Sequence, residues 1–316
     1  MNVFRGPTQF SAGQACALSI GNFDGVHRGH RALLKQLQDG AQERGLVSCV
    51  MTFEPHPKEF FSPEQAPPRI LNLRDKLAAF ADIGIDRVVV EHFNKAFARL
   101  TPEEFVSEII VKQLHAKWIL IGDDFCYGAK RAGNFASLKA AGEKYGFEVS
   151  SIHTVLEDGE RISSSALRNA LANGTMEQAS KLLGRPYGIS GHVIHGQKLG
   201  RTLGFPTLNL AVANHLHHRK PATSGIFTAQ VIGLGDKPLP AVASLGVRPT
   251  VEDAGRVLLE THIFDYNADV YGKIITVELL EKIRDEAKYS DLETLTKAIA
   301  SDAAHARNYF QKKSYV

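Results

Sequence analysis

The feature that most limits the fold is a change of rhythm near residue 185. Up to that point short apolar runs alternate with helical patterns. Ala15 to Ile20 is an apolar run that stops at Gly21, and Arg31 to Gly45 then carries Leu33, Leu34, Leu37 and Ala41 at helical spacing. Val47 to Phe53 reads as a second strand, closed by Pro55-His56-Pro57. Arg87 to Val90, Trp118 to Ile121 and Phe147 to Val155 continue the series. Strands that are apolar along their whole length need cover on both faces, which a parallel sheet flanked by helices supplies. In such sheets ligands bind at the carboxyl ends of the strands. The first half is therefore expected to be an α/β domain of the nucleotide-binding type.

Beyond residue 185 the helical patterns give way to short β-rich runs: Ile189 to Ile194, Gly225 to Leu234, Leu239 to Leu245, Val257 to Phe264 and Lys273 to Leu280. Gly, Pro, Asn and Asp turns separate them at the spacing of an antiparallel barrel or sandwich. A last helix is expected to open with a capping box over Ser290-Asp291-Leu292-Glu293, with Leu292, Leu295, Ile299, Ala303 and Ala306 as its apolar stripe. Gly184-Arg185-Pro186 marks the join, so the expected domains are 1–184 and 185–316, a division that suits a chain of 316 residues.

Composition excludes several classes. The 37 basic and 34 acidic residues are interspersed, with no basic stripe of the sort a nucleic-acid binder carries. No apolar run approaches the ~18 residues of a membrane span. The stretch Met1 to Pro7 lacks a charged head followed by an apolar segment, so the reading is a soluble cytoplasmic protein. Cys16, Cys49 and Cys126 form no CxxC pair and read as small core hydrophobes.

The densest motif is Gly21-Asn22-Phe23-Asp24-Gly25-Val26-His27-Arg28-Gly29-His30, between the first strand and the first helix. His27 and His30, spaced around Gly29, can both face the head of that helix. Glycine there lets the backbone approach a phosphate, and the helix N-terminus favours negative charge. Imidazoles so placed can donate to an α-phosphate as charge builds in a pentacovalent transition state. The glycine spacing is neither a Walker A nor a GxGxxG fingerprint. The plainer reading is that both histidines cap a helix.

Three further stretches carry chemistry in the first half. Ile162-Ser163-Ser164-Ser165-Ala166-Leu167-Arg168 places hydroxyls and amides at a helix start with Arg168 one turn in, a set suited to the β- and γ-phosphates of ATP. Serine-rich capping alone is the alternative. Gly122 to Gly133 follows a strand; Asp123 and Asp124 can face a nucleotide, while Phe125 and Tyr127 offer stacking surface. Phe53-Glu54-Pro55-His56-Pro57, with Phe60 and Phe61, is either a stiff aromatic ligand wall or a strand-breaking turn.

In the second half, a loop with Gly196, Gly200 and Gly204 runs through Phe205, Pro206, Thr207 and Leu208 to Asn209. Its amides can wrap phosphates. Thr207 and Asn209, two apart on a strand, share a face and offer hard oxygens that suit Mg²⁺; a hairpin bend with an incidental Thr and Asn is the alternative. Glu260 lies within an apolar strand run, where a partly buried carboxylate has a raised pKa and makes a base for a primary hydroxyl, or else forms a structural ion pair. His215-Leu216-His217-His218 offers no fourth ligand, and metal binding there is not expected.

The strings GNFDGVHRGH, GDDFCYGAKRAG and ISSSALR, in this order and spacing, resemble the adenylyltransferase module of prokaryotic bifunctional FAD synthetases, within the HxGH nucleotidyltransferase superfamily. GRTLGFPTLN, Gly246-Val247-Arg248-Pro249-Thr250, LETHIFD, Val270-Tyr271-Gly272 and Ile283-Arg284-Asp285-Glu286 resemble the riboflavin kinase module. The resemblance implies an α/β HxGH nucleotidyltransferase domain with a Rossmann-like parallel sheet, then an antiparallel β-barrel riboflavin kinase domain with a C-terminal helix. It implies two steps that use ATP with Mg²⁺: phosphorylation of riboflavin to FMN, and attack of FMN on the α-phosphate of ATP to give FAD and pyrophosphate.

By the same resemblance, ATP for adenylyl transfer is held by Gly21, Asn22, Phe23, Asp24, Gly25, His27, Gly29, His30, Ser163, Ser164, Ser165 and Arg168, with His27, His30 and Arg168 catalytic. Phe53, Pro55, Pro57, Phe61, Asp124 and Phe125 shape the flavin cleft. In the kinase, Gly196, Lys198, Gly200, Arg201, Gly204, Pro206, Thr207 and Asn209 bind ATP, and Thr207 and Asn209 hold Mg²⁺. Glu260 activates the ribityl 5′-hydroxyl, and Arg284 lies near the flavin. Tyr127 stands where phenylalanine is more usual, and Leu208 where alanine is common. The implied partners are riboflavin, FMN, FAD and ATP, with no nucleic acid and no membrane. A monomer or weak homo-oligomer is expected, as is transient delivery of flavin to apo-flavoproteins. Two alternatives are a nucleotidyltransferase for another small phosphate substrate, which has no use for the β-rich half, and a non-catalytic flavin-binding or delivery protein, against which Glu260, His27 and His30 argue.

Overall fold

The computed structural model describes residues 1–6, 14–152, 156–157, 160–196, 203–212, 221–247 and 257–313. They fall into two compact units, Met1–Pro67 with Lys76–Ser163, and Pro68–Asp75 with Ser164–Val316.

The first unit is built on a parallel sheet. Its strands are β1 (Asn2–Arg5), β2 (Cys16–Ile20), β3 (Val47–Glu54), β4 (Arg87–His92), β5 (Ala116–Gly122) and β6 (Glu148–Ile152), in the order β1-β4-β3-β2-β5-β6. Every pairing is parallel. From β2 the chain adds β3 and β4 on one side and β5 and β6 on the other, with β1 at the far edge beside β4, so the topological switch lies between β2 and β5, where such sheets bind ligands. β2 is buried along its whole length, which is why its sequence shows no alternation. The edge strand β1 escapes a reading by periodicity because its four residues are mostly exposed.

Helix α1 (Arg28–Glu43) buries Leu33, Leu34, Leu37 and Ala41, the stripe read from spacing. It starts three residues ahead of the expected Arg31 because His27 caps it. Gly40 lets Trp118 pack directly on α1, since a Cβ there would lie 2.4 Å from the indole ring. Next come α2 (Pro57–Phe61), α3 (Leu73–Ile83), and α4 (Pro102–Glu104), which winds on as a π-helix over Phe105–Gln113. α5 (Phe135–Tyr145) ends on left-handed Gly146. Residues 153–155 of the last expected strand lie outside the described residues; a two-stranded ribbon of β7 (Leu156–Glu157) and β8 (Glu160–Arg161) follows. Cys16 and Cys49 are fully buried, and all three cysteines are free thiols.

The second unit opens with α6 (Ser164–Ala172) and α7 (Met176–Leu183). Then β9 (Tyr187–Ile194), β10 (Leu208–Ala211), β11 (Gly225–Ile232), β12 (Leu239–Val247), β13 (Val257–Ile263) and β14 (Ile274–Arg284) close an antiparallel barrel in the order β10-β13-β12-β11-β14-β9. The choice between barrel and sandwich is thus settled in favour of the barrel. Phe227, Ala229, Val231, Leu245, Leu259, Val277 and Leu279 are fully buried.

Helix α8 (Leu292–Lys313) corrects two expectations. Its cap is Asp291 rather than Ser290: the Thr294 amide donates to Asp291 Oδ1 at 2.7 Å, and the Ser290 hydroxyl donates to Oδ2 at 2.8 Å. Glu293 instead pairs with Lys297 at 2.7 Å. An aspartate already ionised accepts more strongly than a serine hydroxyl, so it takes the cap. Leu292, placed in the apolar stripe, is 58% exposed, while Asp302 is buried in its stead. Arg284 explains that burial, donating from Nε and Nη2 to both Asp302 oxygens at 2.9 and 2.6 Å.

Candidate active sites

In the first unit the residues singled out by sequence gather at the carboxyl ends of β2, β3 and β5. The loop from Gly21 to His27 is held in an unusual backbone: Phe23 (φ 47°), Gly25 (φ 93°) and Val26 (φ 42°) all adopt left-handed conformations. For Phe and Val this costs about 1–3 kcal/mol each, sustained here by packing, since Phe23 is buried edge-on against Phe80 and His30. The Asn22 carbonyl anchors the loop, accepting from Lys76 Nζ at 2.8 Å and from the Thr52 hydroxyl at 3.2 Å.

His27 caps α1: its Nδ1 accepts from the His30 amide at 3.3 Å. An accepting Nδ1 carries no proton, so in the neutral ring the proton sits on Nε2, which becomes a donor. The His27 and His30 rings stack 3.7 Å apart at 16°. Gly29 makes this possible, because a Cβ there would lie 3.3 Å from the His27 ring and 3.5 Å from the Ile162 carbonyl. Desolvation, then the charges of His27 and Lys76, hold the His30 imidazole well below its ordinary value, so it is neutral at pH 7. Its Nδ1 is buried without a partner. The helix-cap reading is therefore realised at His27.

The aromatic wall is longer than the sequence suggested. Phe53 meets Phe93 and Phe97, each at 5.8 Å between centroids. Phe61 meets Phe93 at 5.6 Å and is 64% exposed, a large apolar surface facing solvent. Phe97 continues to Phe105, Phe105 to Tyr127, and Tyr127 stacks with Phe125 at 5.7 Å. Phe53, Phe61 and Phe125, far apart in sequence, thus belong to one chain of rings. Pro55 follows β3, and Pro57 opens α2 beneath a capping box of His56 and Glu59. Asp123 and Asp124 are both exposed in the turn after β5.

Ser163 closes the first unit, whereas Ser164, Ser165 and Arg168 open α6 in the second. Arg168 Nε donates to the Pro68 carbonyl at 2.9 Å.

The barrel builds its own row of oxygens. Asn209 on β10 stands opposite Glu260 on β13, which stands opposite Ser244 on β12. Directly opposed residues project to one face, so these three form a line across adjacent strands. Asn209 is buried against Gly196, where a Cβ would lie 2.2 Å from its amide nitrogen. Leu208 pairs with Thr261 on the other face, away from this row. Among the described residues no group of three His, Cys, Asp or Glu has the arrangement of a metal cage. The Oδ1 of Asn209 is nevertheless buried without a partner. A single neutral oxygen fits Mg²⁺, which keeps waters and takes its remaining ligands from substrate phosphates; Thr207, expected two places along the same strand, lies just ahead of β10 rather than within it. Pro206 is fixed by His262, whose Nδ1 donates to its carbonyl at 2.8 Å. Lys198, Gly200 and Arg201 lie outside the described residues, as do His215, His217 and His218.

Four functional candidates were not singled out by sequence. Lys76 is a buried cation beside Asn22 and His30, invisible by motif because it sits within an ordinary amphipathic helix. Phe93 and Phe97 link the aromatic wall. Glu286, quoted only within a motif, reaches back over Gly246, where a Cβ would lie 2.0 Å from Oε1. Desolvation raises the Glu286 carboxyl above its ordinary range; the Ser244 hydroxyl opposes that rise and the charge of Glu260 adds to it.

Stacked histidines over a helix head at the switch of a parallel sheet, and an oxygen row on a barrel, are the two candidate sites. The FAD synthetase family profile matches residues 10–166, and the riboflavin kinase profile matches residues 183–310. The chain is 47% identical over 297 residues to the bifunctional riboflavin kinase/FMN adenylyltransferase of Escherichia coli K12, covering 94% of this chain and 93% of that one. The protein of the same name from Haemophilus influenzae is 42% identical, with 94% and 95% covered, and that from Pseudomonas fluorescens 44%, with 93% of each. This chain belongs to the bifunctional riboflavin kinase/FMN adenylyltransferase family. A crystal structure described as a macrolide-efflux protein from Streptococcus pneumoniae shares the fold, with a TM-score of 0.78, 29% identity and coverage of 97% and 98%. Among the described residues here, no helix is long and apolar enough to cross a membrane.

Proposed function

We propose that the two activities of the family are divided between residues 1–184 and 185–316. The chain phosphorylates riboflavin to FMN and adenylylates FMN to FAD, using ATP for both steps. The observation that supports the division is the chemical difference between the two sites: a neutral His30 imidazole stacked on His27 in one unit, and a carboxylate facing an unpartnered amide oxygen in the other.

In adenylyl transfer an FMN phosphate oxygen bonds to the α-phosphorus of ATP while the bond to the bridging oxygen breaks and pyrophosphate leaves. The nucleophile is already an anion, so no base is needed and catalysis is positioning with charge stabilisation. His27 and His30 donate to the α-phosphate oxygens, and Lys76 adds a fixed positive charge beside them. Gly21, Asn22, Phe23, Asp24, Gly25 and Gly29 shape the phosphate loop, and Ser163, Ser164, Ser165 and Arg168 hold the remaining phosphates. Phe53, Pro55, Pro57, Phe61, Asp124 and Phe125 receive the flavin.

In phosphorylation the ribityl 5′-oxygen bonds to the γ-phosphorus and ADP leaves; Glu260 takes the hydroxyl proton. Thr207 and Asn209 would hold Mg²⁺, which neutralises phosphate charge when bound. Gly196, Lys198, Gly200, Arg201, Gly204 and Pro206 wrap the triphosphate. Arg284 borders the flavin, although its bidentate bond to Asp302 leaves it a positioning role through the end of β14. A cytoplasmic monomer or weak homo-oligomer that passes flavin transiently to apo-flavoproteins completes the reading.

The test is incubation of the purified chain with riboflavin, excess ATP and Mg²⁺, with riboflavin, FMN and FAD separated over time. FMN that rises and then gives way to FAD is expected. FMN without FAD would assign the first unit another substrate, and no flavin product would favour a binding protein.

A further inference from the structure

Glu91 has no part in the mechanism above, yet it occupies an unusual place. It lies near the carboxyl end of β4, directly paired with Phe53 of the neighbouring parallel strand, and so projects to the same face as that ring. The residues on this face one step back, Val89 and Met51, are fully buried core. Phe53 stands level with it, in ring contact with Phe93 and Phe97. A carboxylate in such apolar company is costly unless it is paired or neutralised. Glu91 is 9% exposed, and its Oε2 is buried with no hydrogen-bond partner. A leucine or valine would complete the strand at no cost, so the carboxyl is better explained by a partner supplied from outside the chain.

We propose that Glu91 is a specificity-determining residue of the adenylyltransferase site, its carboxyl hydrogen-bonding the imide edge of the flavin ring. This rests on the reading that the Phe53 wall receives FMN. The imide edge presents an N3–H donor flanked by two carbonyl acceptors. A carboxylic acid matches it in both directions, its hydroxyl donating to a ring carbonyl while its carbonyl accepts from N3–H. Burial pushes the Glu91 carboxyl up to about 7, with only the charge of His92 opposing, so the donor form is accessible at neutral pH. The neighbouring rings would cover the apolar part of the flavin, and the single acid would fix which edge points inward. Glutamine offers the same donor and acceptor pair; leucine offers neither.

The experiment compares FMN with N3-methyl-FMN as substrates for FAD formation by the full-length chain, in wild type, Glu91→Gln and Glu91→Leu. Removing a buried hydrogen bond to a substrate is expected to raise KM for FMN about tenfold in Glu91→Leu, with KM for ATP and riboflavin phosphorylation unchanged. Glu91→Gln is expected to stay within about threefold of wild type, as a conserved hydrogen-bond pair predicts. Wild type should disfavour N3-methyl-FMN, and Glu91→Leu should lose that discrimination. An unchanged KM for FMN in Glu91→Leu, or equal discrimination in wild type and Glu91→Leu, overturns the proposal. Wild type that makes no FAD from either substrate overturns the underlying reading itself, a failure distinct from the other two.

Discussion

The two units use one co-substrate but meet opposite chemical demands, and their polar groups differ accordingly. In the first, a phosphate monoester attacks, already charged, and what the site must supply is donors in a dry place. It has two imidazoles stacked 3.7 Å apart and a buried lysine, with the His30 ring kept neutral. In the second, an alcohol attacks, and a proton must go somewhere. There the structure sets Glu260 across from Asn209, with Glu286 close enough to feel its charge. On the proposed assignment, the nucleophile, more than the nucleotide, decides whether a site is built from bases or from donors.

The sharpest way to break this contrast is to remove the base. Glu260→Gln should lower FMN formation about 10²–10⁴-fold, the usual worth of a general base, and leave conversion of supplied FMN to FAD intact. Equal loss of both steps on product chromatography would refute separate sites. The converse change, His30→Ala, should cut FAD formation about 10²–10³-fold, as loss of one transition-state donor does, so that FMN accumulates. Lys76→Met probes whether the buried cation belongs with the histidines. A loss in FAD formation of about tenfold or more is expected from a group that favours charge in the transition state, together with an upward shift of the His30 titration followed by NMR. A stable variant with unchanged kinetics would make Lys76 merely an anchor of the Asn22 carbonyl.

Two smaller effects concern stability. Asp302→Ala removes two charge-assisted bonds to Arg284 and should cost about 2 kcal/mol in urea unfolding. Glu91 gives a pH signature of opposite sign to that of a salt-bridged carboxylate. Its folded pKa of about 7 exceeds the ordinary 4.5, so the folded state holds the proton more tightly and stability falls as pH rises between those values. The fall is at most about 3 kcal/mol, and Glu91→Gln should abolish it. A flat profile in wild type would show the carboxyl to be ordinarily solvated.

Much of the molecule was legible in one dimension. Apolar runs without alternation identified β2, β3 and β5 as strands of a parallel sheet, because a strand covered on both faces has no polar side to display. The glycine-framed His27 and His30 were legible because both lie at one loop and helix start, where spacing alone sets direction. What spacing does not carry is proximity between distant segments. Lys76 beside His30, Phe93 bridging Phe53 to Phe61, Glu286 over Gly246, and Asp302 taking the place of Leu292 in a helix stripe all depend on which elements pack together. Only the fold decides those contacts, because a buried charge or ring is placed by the partner that satisfies it, and that partner lies elsewhere in the chain.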